Sequence, residues 1–238
     1  MSVPLLHQPP PIPGLLSFSP YCAKVQLALK LKGIRYEVHD TFFAERVNPR
    51  KKLPYLEWGG RKLEDSTAIV EVIDAEGTGP KLIPEDAATR AEAHLLEDWS
   101  DESLYWQSVR AKFAVDENWN RIRPHLALGF PAWMRLVAPA VARRKTLAKL
   151  DAQGITRRAP ELAERELLRH FDALETRLTT RRFLCGEAMT IADVSVAAML
   201  AQLRPELCPA QARALAERPK LSSLIHTVFA EAEARRAR

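Results

Sequence analysis

The sequence predicts an α/β domain followed by an all-α domain. Patterns typical of a helix, a strand, a hairpin and a second helix follow one another within the first 76 residues. The run Glu76-Gly77-Thr78-Gly79-Pro80 then breaks the chain, and after it the strand patterns disappear while helical ones continue. A chain of 238 residues can form one large domain or two small ones. We expect domains at residues 1–78 and 85–238.

Local signals predict each element of the first domain. A short strand is expected at residues 3–7. Ser19 and Pro20 suit the N-cap and first position of a helix that ends at Gly33. Alternation over residues 34–40 predicts a half-buried strand. Gly59-Gly60, between two short apolar runs, predicts a β-hairpin, and residues 64–67 open the next helix.

Helical periodicity dominates the remainder of the chain. Helices are predicted at residues 86–115, 131–150, 159–179 and 190–203, and a last one starts at or is interrupted by Pro219. The segment 159–179 has the clearest apolar stripe, with a charged opposite face. Thr190 and Asp193 fit a capping box, in which each side chain bonds the backbone N–H of the other residue.

Composition and charge argue against several classes of protein. Hydrophobic residues make up 47% and charged residues 27%, as in ordinary globular proteins, and no apolar run is long enough to span a membrane. The N-terminus lacks signal-peptide features, so a cytoplasmic location is predicted. A net charge of +5 without a binding motif argues against nucleic acid. Three widely spaced cysteines predict neither a disulfide framework nor a metal site.

Ser19 is the first candidate for chemistry. It places a hydroxyl at the positive end of a helix, beside N–H groups that have no partner inside the helix. Such a position favours an anion, and a thiolate is an anion. Capping of the helix by Ser19 is the simpler interpretation when this step is considered alone.

Four landmarks in order resemble the glutathione transferase superfamily and cover residues 3 to 203. They are Ser19-Pro20-Tyr21-Cys22-Ala23-Lys24-Val25, Leu53-Pro54, Asp65-Ser66, and Gly186-Glu187-Ala188-Met189-Thr190-Ile191-Ala192-Asp193. The resemblance implies a thioredoxin-like N-terminal domain that binds glutathione, an all-α C-terminal domain, and a thiolate stabilised by Ser19. Members of the family commonly form homodimers, and we extend that expectation to this chain.

The resemblance also implies roles for particular residues in holding glutathione as the co-substrate, without a metal. Leu53 would offer its backbone groups to the peptide, before a cis Pro54. Asp65 and Ser66 would hold the γ-glutamyl end, and Lys51 or Lys52 would pair with the glycine carboxylate. The alternatives are an ordinary trans proline, a simple helix cap and solvated lysines.

Further runs resemble the metaxin and failed-axon-connections branch and its bacterial relatives. They are Leu5-Leu6-His7-Gln8-Pro9-Pro10, Pro54-Tyr55-Leu56-Glu57, Leu63-Glu64-Asp65-Ser66-Thr67 and Gln153-Gly154-Ile155-Thr156-Arg157. Asp65 replaces the glutamate that is usual in the superfamily. Since parts of this branch are not established enzymes, a non-catalytic glutathione-binding or scaffolding protein is an alternative.

Cys22 and the aromatic residues complete the candidate site. Ser19 to Cys22 resembles a Cys-x-x-Cys motif that has lost its first cysteine, so two-cysteine exchange cannot run through it. Cys22 is expected to be an inert small side chain, with a glutathione-dependent thiol reductase as a further alternative. A hydrophobic electrophile would bind between the domains at Tyr21, Tyr105 and Trp106, although aromatic residues at helical spacing also suit a core.

Overall fold

The N-terminal part of the molecule contains one four-stranded sheet. The structure, a computed structural model, describes residues 2–236, except for the side chain of residue 236. The strands, in the spatial order β2-β1-β3-β4, are β1 (Leu5–Gln8), β2 (Glu37–Asp40), β3 (Tyr55–Trp58) and β4 (Arg61–Glu64). β1 runs parallel to β2 and antiparallel to β3. The predicted hairpin is confirmed: Gly59 and Gly60 join β3 to β4 with φ of 58° and 78°, which favour glycine.

Helices flank this sheet and make up most of the remaining described chain. They are α1 (Pro20–Leu31), α2 (Ser66–Glu76), α3 (Ala87–Trp99), α4 (Tyr105–Ala114), α5 (Asp116–Leu128), α6 (Ala138–Gln153), α7 (Pro160–Arg177), α8 (Ile191–Leu200), α9 (Pro209–Ala216) and α10 (Pro219–Arg236). The predicted fold class, an α/β part followed by an all-helical part, is confirmed. Within residues 2–236, no helix has the length and apolarity needed to cross a bilayer.

Two helices occupy the centre of the core. α1 is buried on nearly all sides and packs against α2, α8 and α10. Every residue of α8 is buried, and its first turn carries the predicted capping box between Thr190 and Asp193. Because α1 precedes the interdomain segment and α8 follows it, the sheet domain and the helical domain share one continuous hydrophobic core.

α3 and α4 form one long helix with a widened turn in the middle. Residues 100–104 adopt a π-helical turn between them. π-bulges of this kind are rare and are often found at functional sites. Ser100 and Asp101 lie in this turn and are buried, so the widened turn faces the interior next to α1 and α8.

Three sequence predictions were wrong or incomplete. β2 begins at Glu37 rather than residue 34, and all four of its residues are exposed because it forms an edge of the sheet. The helix predicted at 131–150 begins at Ala138, since residues 132–134 form a 3-10 turn. The sequence analysis also missed α5 and α9. α5 is rich in polar residues and contains Pro124, which hid its helical pattern.

Candidate active site

Ser19 lies at the N-cap of α1, as predicted, but its side chain does not cap the helix. Its backbone is extended, with φ −93° and ψ 122°, and Pro20 begins the helix. The Ser19 amide donates to the hydroxyl oxygen of Ser17 at 3.2 Å, and that hydroxyl donates to the Pro9 carbonyl at 3.1 Å. The turn is therefore held by Ser17, and the Ser19 hydroxyl makes no capping bond to the helix backbone.

Cys22 lies one turn into α1 and is completely buried. Burial raises the pKa of its thiol to about 12, although hydrogen bonds with the Ser19 and Ser17 hydroxyls act in the opposite direction. A thiol with this pKa is protonated near neutral pH, and the thiolate is the reactive form. The geometry thus supports the expectation that Cys22 is inert.

Leu53 and Pro54 form the loop that leads into β3. Their peptide bond is cis, and Pro54 is buried. The Asn48 side-chain amide donates to the Lys52 carbonyl at 2.8 Å, which fixes the preceding turn. The side chains of Lys51 and Lys52 are exposed on this turn, where solvated ammonium groups could meet a carboxylate.

Asp65 caps α2 from a left-handed backbone conformation with φ 69°. Its Oδ1 accepts hydrogen bonds from the amides of Thr67 at 3.0 Å and Ala68 at 3.2 Å. Oδ2 makes no described hydrogen bond and remains on the exposed side. Ser66, the first residue of α2, is buried. The capping role of Asp65 is therefore present, and one carboxylate oxygen is left for a ligand.

A buried charge cluster lies beneath the N-terminus of α2, and the sequence analysis missed it. Lys24 donates to Asp101 Oδ2 at 2.8 Å, to Thr67 Oγ1 at 3.3 Å, and to Glu97. Ser195 donates to Asp101 Oδ1 at 2.6 Å. Burial raises the pKa of Asp101, while Lys24 acts in the opposite direction. Polar side chains among the apolar residues of α1 were the signal that could have pointed to this cluster.

The three aromatic residues predicted to border a substrate lie together. The rings of Tyr21 and Tyr105 are 4.7 Å apart, and Trp106 meets Tyr105 edge-on at 5.1 Å. The Tyr21 hydroxyl donates to the Asp101 carbonyl in the π turn at 2.6 Å. Burial raises the pKa of both tyrosines, so their hydroxyls stay protonated. Trp106 also borders a separate groove of about 410 Å³ with Gln153.

Models of two domains match the chain, and the first of them covers Ser19, Leu53 and Asp65. The glutathione S-transferase N-terminal domain matches residues 16–81, and the glutathione S-transferase C-terminal domain matches residues 138–225. The chain belongs to the glutathione S-transferase superfamily. Relatives named as glutathione S-transferases identify it as an enzyme of the transferase type. Among residues 2–236, no three His, Cys, Asp or Glu side chains are grouped as they would be around a metal ion.

Individual relatives agree with this assignment. The transferase is 28% identical to the isoprene-epoxide–glutathione S-transferase of Rhodococcus sp. (strain AD45) over 189 residues, or 77% of this chain and 79% of that enzyme. It is 31% identical over 106 residues to a probable glutathione S-transferase of Solanum tuberosum, covering 41% of this chain and only 49% of that protein. Neither name is that of a metaxin-like protein, and membership of that branch stays a prediction.

Solved structures show the same fold. A glutathione S-transferase from Rhodospirillum rubrum F11 is 20% identical, with a TM-score of 0.63, over 95% of this chain and 87% of that chain. Glutathione S-transferase-I bound with lactoylglutathione is 17% identical, with a TM-score of 0.63, over 99% of both chains. At these identities, the likeness establishes the architecture of the transferase and leaves its substrates open.

Proposed function

We propose that this transferase conjugates the glutathione thiolate to a small hydrophobic electrophile, with Ser19 stabilising the thiolate. The observation that carries the proposal is the Ser19 hydroxyl, which stands at the N-terminus of α1 without making a capping bond. The hydroxyl, whose described partner is the neutral Cys22 thiol, and the unpartnered amides of the first helical turn can both bond a bound sulfur.

The energetics of thiolate stabilisation match this arrangement. A thiol has an ordinary pKa of about 8.5, and a shift of one unit corresponds to about 1.4 kcal/mol. A hydrogen bond to a charged acceptor contributes about 1.5–3 kcal/mol, and the helix N-terminus about 0.3–1 kcal/mol. Together they lower the thiol pKa into the neutral range. The proton then leaves to solvent, the thiolate sulfur forms a bond to the electrophilic carbon, and the leaving oxygen or halide accepts the electron pair.

The other predicted site residues suit the remaining parts of glutathione. Leu53 begins the approach to β3, so its backbone N–H and C=O can pair with the peptide as an added strand does. Oδ2 of Asp65 can accept from the γ-glutamyl ammonium, and Ser66 with the N-terminus of α2 can hold the γ-glutamyl carboxylate. Lys52, which is exposed on the loop before Leu53, would pair with the glycine carboxylate.

Tyr21, two residues after Ser19, and its neighbour Tyr105 would set the character of the electrophile. Tyr21 and Tyr105 present a half-buried aromatic surface, and the Tyr21 hydroxyl is already bonded to the Asp101 carbonyl. Selection would therefore depend on apolar contact more than on a donated hydrogen bond. Trp106 extends the same aromatic surface. An epoxide is the electrophile class we would test first, since the Rhodococcus relative is named for isoprene epoxide.

The test combines glutathione calorimetry with a chromophoric electrophile assay on wild type and Ser19→Ala. We expect turnover to fall about 10- to 100-fold, since a charged hydrogen bond of about 1.5–3 kcal/mol is lost, while glutathione affinity changes little. Ser222→Ala, which removes a hydroxyl that donates to the Leu215 carbonyl on α9, is the matched control and should behave as wild type. Equal loss of affinity and turnover in Ser19→Ala would reduce Ser19 to a binding residue.

An exposed apolar segment favours a second candidate, a glutathione-binding protein that contacts other proteins. Trp133, Leu136 and Val137 are 82%, 93% and 63% exposed between α5 and α6. Large apolar side chains grouped on a surface often mark interaction sites. Glutathione binding without turnover in the wild type would select this candidate. Homodimer formation and a cytoplasmic location remain predictions, and analytical ultracentrifugation would test the dimer.

A further inference from the structure

Four lysines of the described chain are buried, and one of them differs from the others. Lys24, Lys30 and Lys32 each pair with a carboxylate, on Asp101, Glu233 and Asp74 respectively, and Lys24 also with Glu97. Lys112, on α4, is only 2% exposed, and no described residue places a carboxylate in ion-pair contact with it. Burying an unpaired charge is costly, so its surroundings need an explanation.

The contacts of Lys112 lead to the turn that carries Ser19. Its Nζ donates to Gln202 Oε1 at 2.9 Å, lies 3.5 Å from the Phe18 carbonyl oxygen, and sits 4.6 Å from the centre of the Phe18 ring. Gln202 in turn donates to the Ser17 carbonyl at 3.2 Å. The neighbours of the ammonium are therefore neutral dipoles, the Gln202 side chain and the Phe18 carbonyl. Through them Lys112 is linked to Ser17 and Phe18, the two residues before Ser19.

Lys112 keeps its charge in this environment. Burial lowers its pKa to about 8, which leaves the ammonium largely protonated near neutral pH. Cys208 is the titratable group whose charge would act on it, and burial raises the pKa of that thiol to about 12, so Cys208 is neutral. A positive charge thus lies in a poorly screened position against the peptide that joins Phe18 to Ser19.

We propose that Lys112 is a positioning residue whose buried charge stabilises the glutathione thiolate at Ser19. This inference rests on the proposed function. The Phe18 carbonyl and the Ser19 amide belong to one peptide unit, so the ammonium lies within a few ångströms of the Ser19 backbone. In a weakly polar interior, opposite charges that are not in direct contact still interact appreciably. The bound thiolate would then supply the negative charge that Lys112 lacks in the free protein.

A purely structural role for Lys112 makes a different prediction. If Lys112 only tethers the turn, its loss should weaken binding of every glutathione analogue, whether or not the analogue carries an ionisable thiol. If its charge acts on the sulfur, S-methylglutathione should bind as before, and the thiol pKa of bound glutathione should change. Lys112→Met removes the charge and keeps a long apolar stem, whereas Lys112→Arg keeps the charge.

The experiment titrates the ultraviolet absorbance of bound glutathione thiolate against pH, with calorimetry of S-methylglutathione on the same samples. In Lys112→Met, we expect the thiol pKa of bound glutathione to rise by about 1 unit. At a pH below the wild-type thiol pKa, turnover should fall about tenfold. Affinity for S-methylglutathione should change less than about twofold. Lys112→Arg should restore the wild-type pKa. Lys30→Met, a buried lysine at the far end of α1, is the matched control and should leave the thiol pKa unchanged.

The outcomes separate this inference from the proposed function. A wild-type thiol pKa equal to that of free glutathione would overturn both. A lowered, Ser19-dependent pKa that Lys112→Met leaves unchanged would overturn only the role of Lys112. If Lys112→Met does not fold, ¹⁵N-lysine spectra of the wild type give the same test. Glutathione, but not S-methylglutathione, should raise the pKa of Lys112, because coupling between two sites is reciprocal, and no difference would overturn the inference.

Discussion

Ser19 and Cys22 are three residues apart but differ in burial. Ser19 is partly exposed, whereas the Cys22 thiol is fully buried and unreactive. The sequence alone predicted a helix start at Ser19, because Ser-Pro is a strong local signal. It could not predict that the Ser19 side chain makes no capping bond. That outcome depends on the hydrogen bonds of Ser17, which accepts from the Ser19 amide and donates to the Pro9 carbonyl. At the scale of single residues, the sequence predicts the local backbone conformation, but it does not predict the hydrogen-bond partner of each polar side-chain atom.

Cys22 should resist modification in the native protein. Its thiol is fully buried and its pKa is raised to about 12, so almost no thiolate is exposed to an oxidant. Mass spectrometry after treatment with oxidised glutathione should find no adduct on Cys22. The same treatment in denaturant is the control and should modify it. An adduct formed on the folded protein would revive the thiol-reductase alternative.

Capping was the element-scale feature that sequence predicted best. Asp65 on α2 and Asp193 on α8 lie where local patterns placed them. The structure adds that Asp193 reaches beyond its own helix: Oδ1 accepts from the Leu184 amide at 2.8 Å, while Oδ2 accepts from the Thr190 amide at 2.8 Å. The capping box therefore also anchors the segment before it, through the hydrogen bond from the Leu184 amide, which no sequence pattern predicts.

Asp193→Ala should lower the free energy of unfolding by about 3 kcal/mol. The substitution leaves the buried amides of Leu184 and Thr190 without acceptors, each at a cost of about 1–3 kcal/mol. Asp86→Ala is the matched control, because Asp86 caps α3 at an exposed position and its loss should cost about 1 kcal/mol. Chemical denaturation of both variants measures the difference. Equal losses of unfolding free energy in the two variants would mean that burial of the Asp193 cap does not increase its contribution to stability.

Asp193 should also make stability depend on pH. Burial raises its pKa from 3.8 to about 6, so the folded state binds the proton more tightly than the unfolded chain. The stability that this proton confers is complete below about pH 4 and is lost as the pH rises through about 6, with a limit of about 3 kcal/mol. Relative to Asp193→Asn, wild type should lose stability between pH 4 and pH 7. A constant difference between the two proteins would contradict this.

At the scale of the whole molecule, one buried charge cluster joins the two domains. Lys24 belongs to the sheet domain, and its partners Glu97 and Asp101 belong to the helical domain. These residues are more than 70 positions apart in the chain, so sequence periodicity could not pair them. The same separation hid Lys112, whose contact with Phe18 spans 94 positions. Fold class and element order follow from local patterns, whereas the interior polar contacts depend on tertiary packing.

Lys24→Met should destabilise the protein by about 3–5 kcal/mol, since it leaves two buried carboxylates without their cation. Replacing Glu97 by Gln in the same chain should recover part of the loss, because one of the unpaired charges is removed. Thermal or denaturant unfolding of the single and double variants gives the coupling between the sites. Additive losses in the double variant would show that Lys24 and Glu97 do not act as a pair.

The π turn at residues 100–104 also has a consequence for alignment and for protein engineering. A π turn holds one more residue than an α turn, so it acts as a single-residue insertion absorbed inside a helix. Deleting one residue there would convert the π turn into a regular α turn and leave α4 close to its present orientation relative to α3. Deleting one residue from the regular first turn of α4 would instead rotate the positions that follow by about 100° and carry Lys112 away from Phe18. Alignments that run through this helix without a gap would therefore misplace every α4 position by one when the other chain has a regular helix.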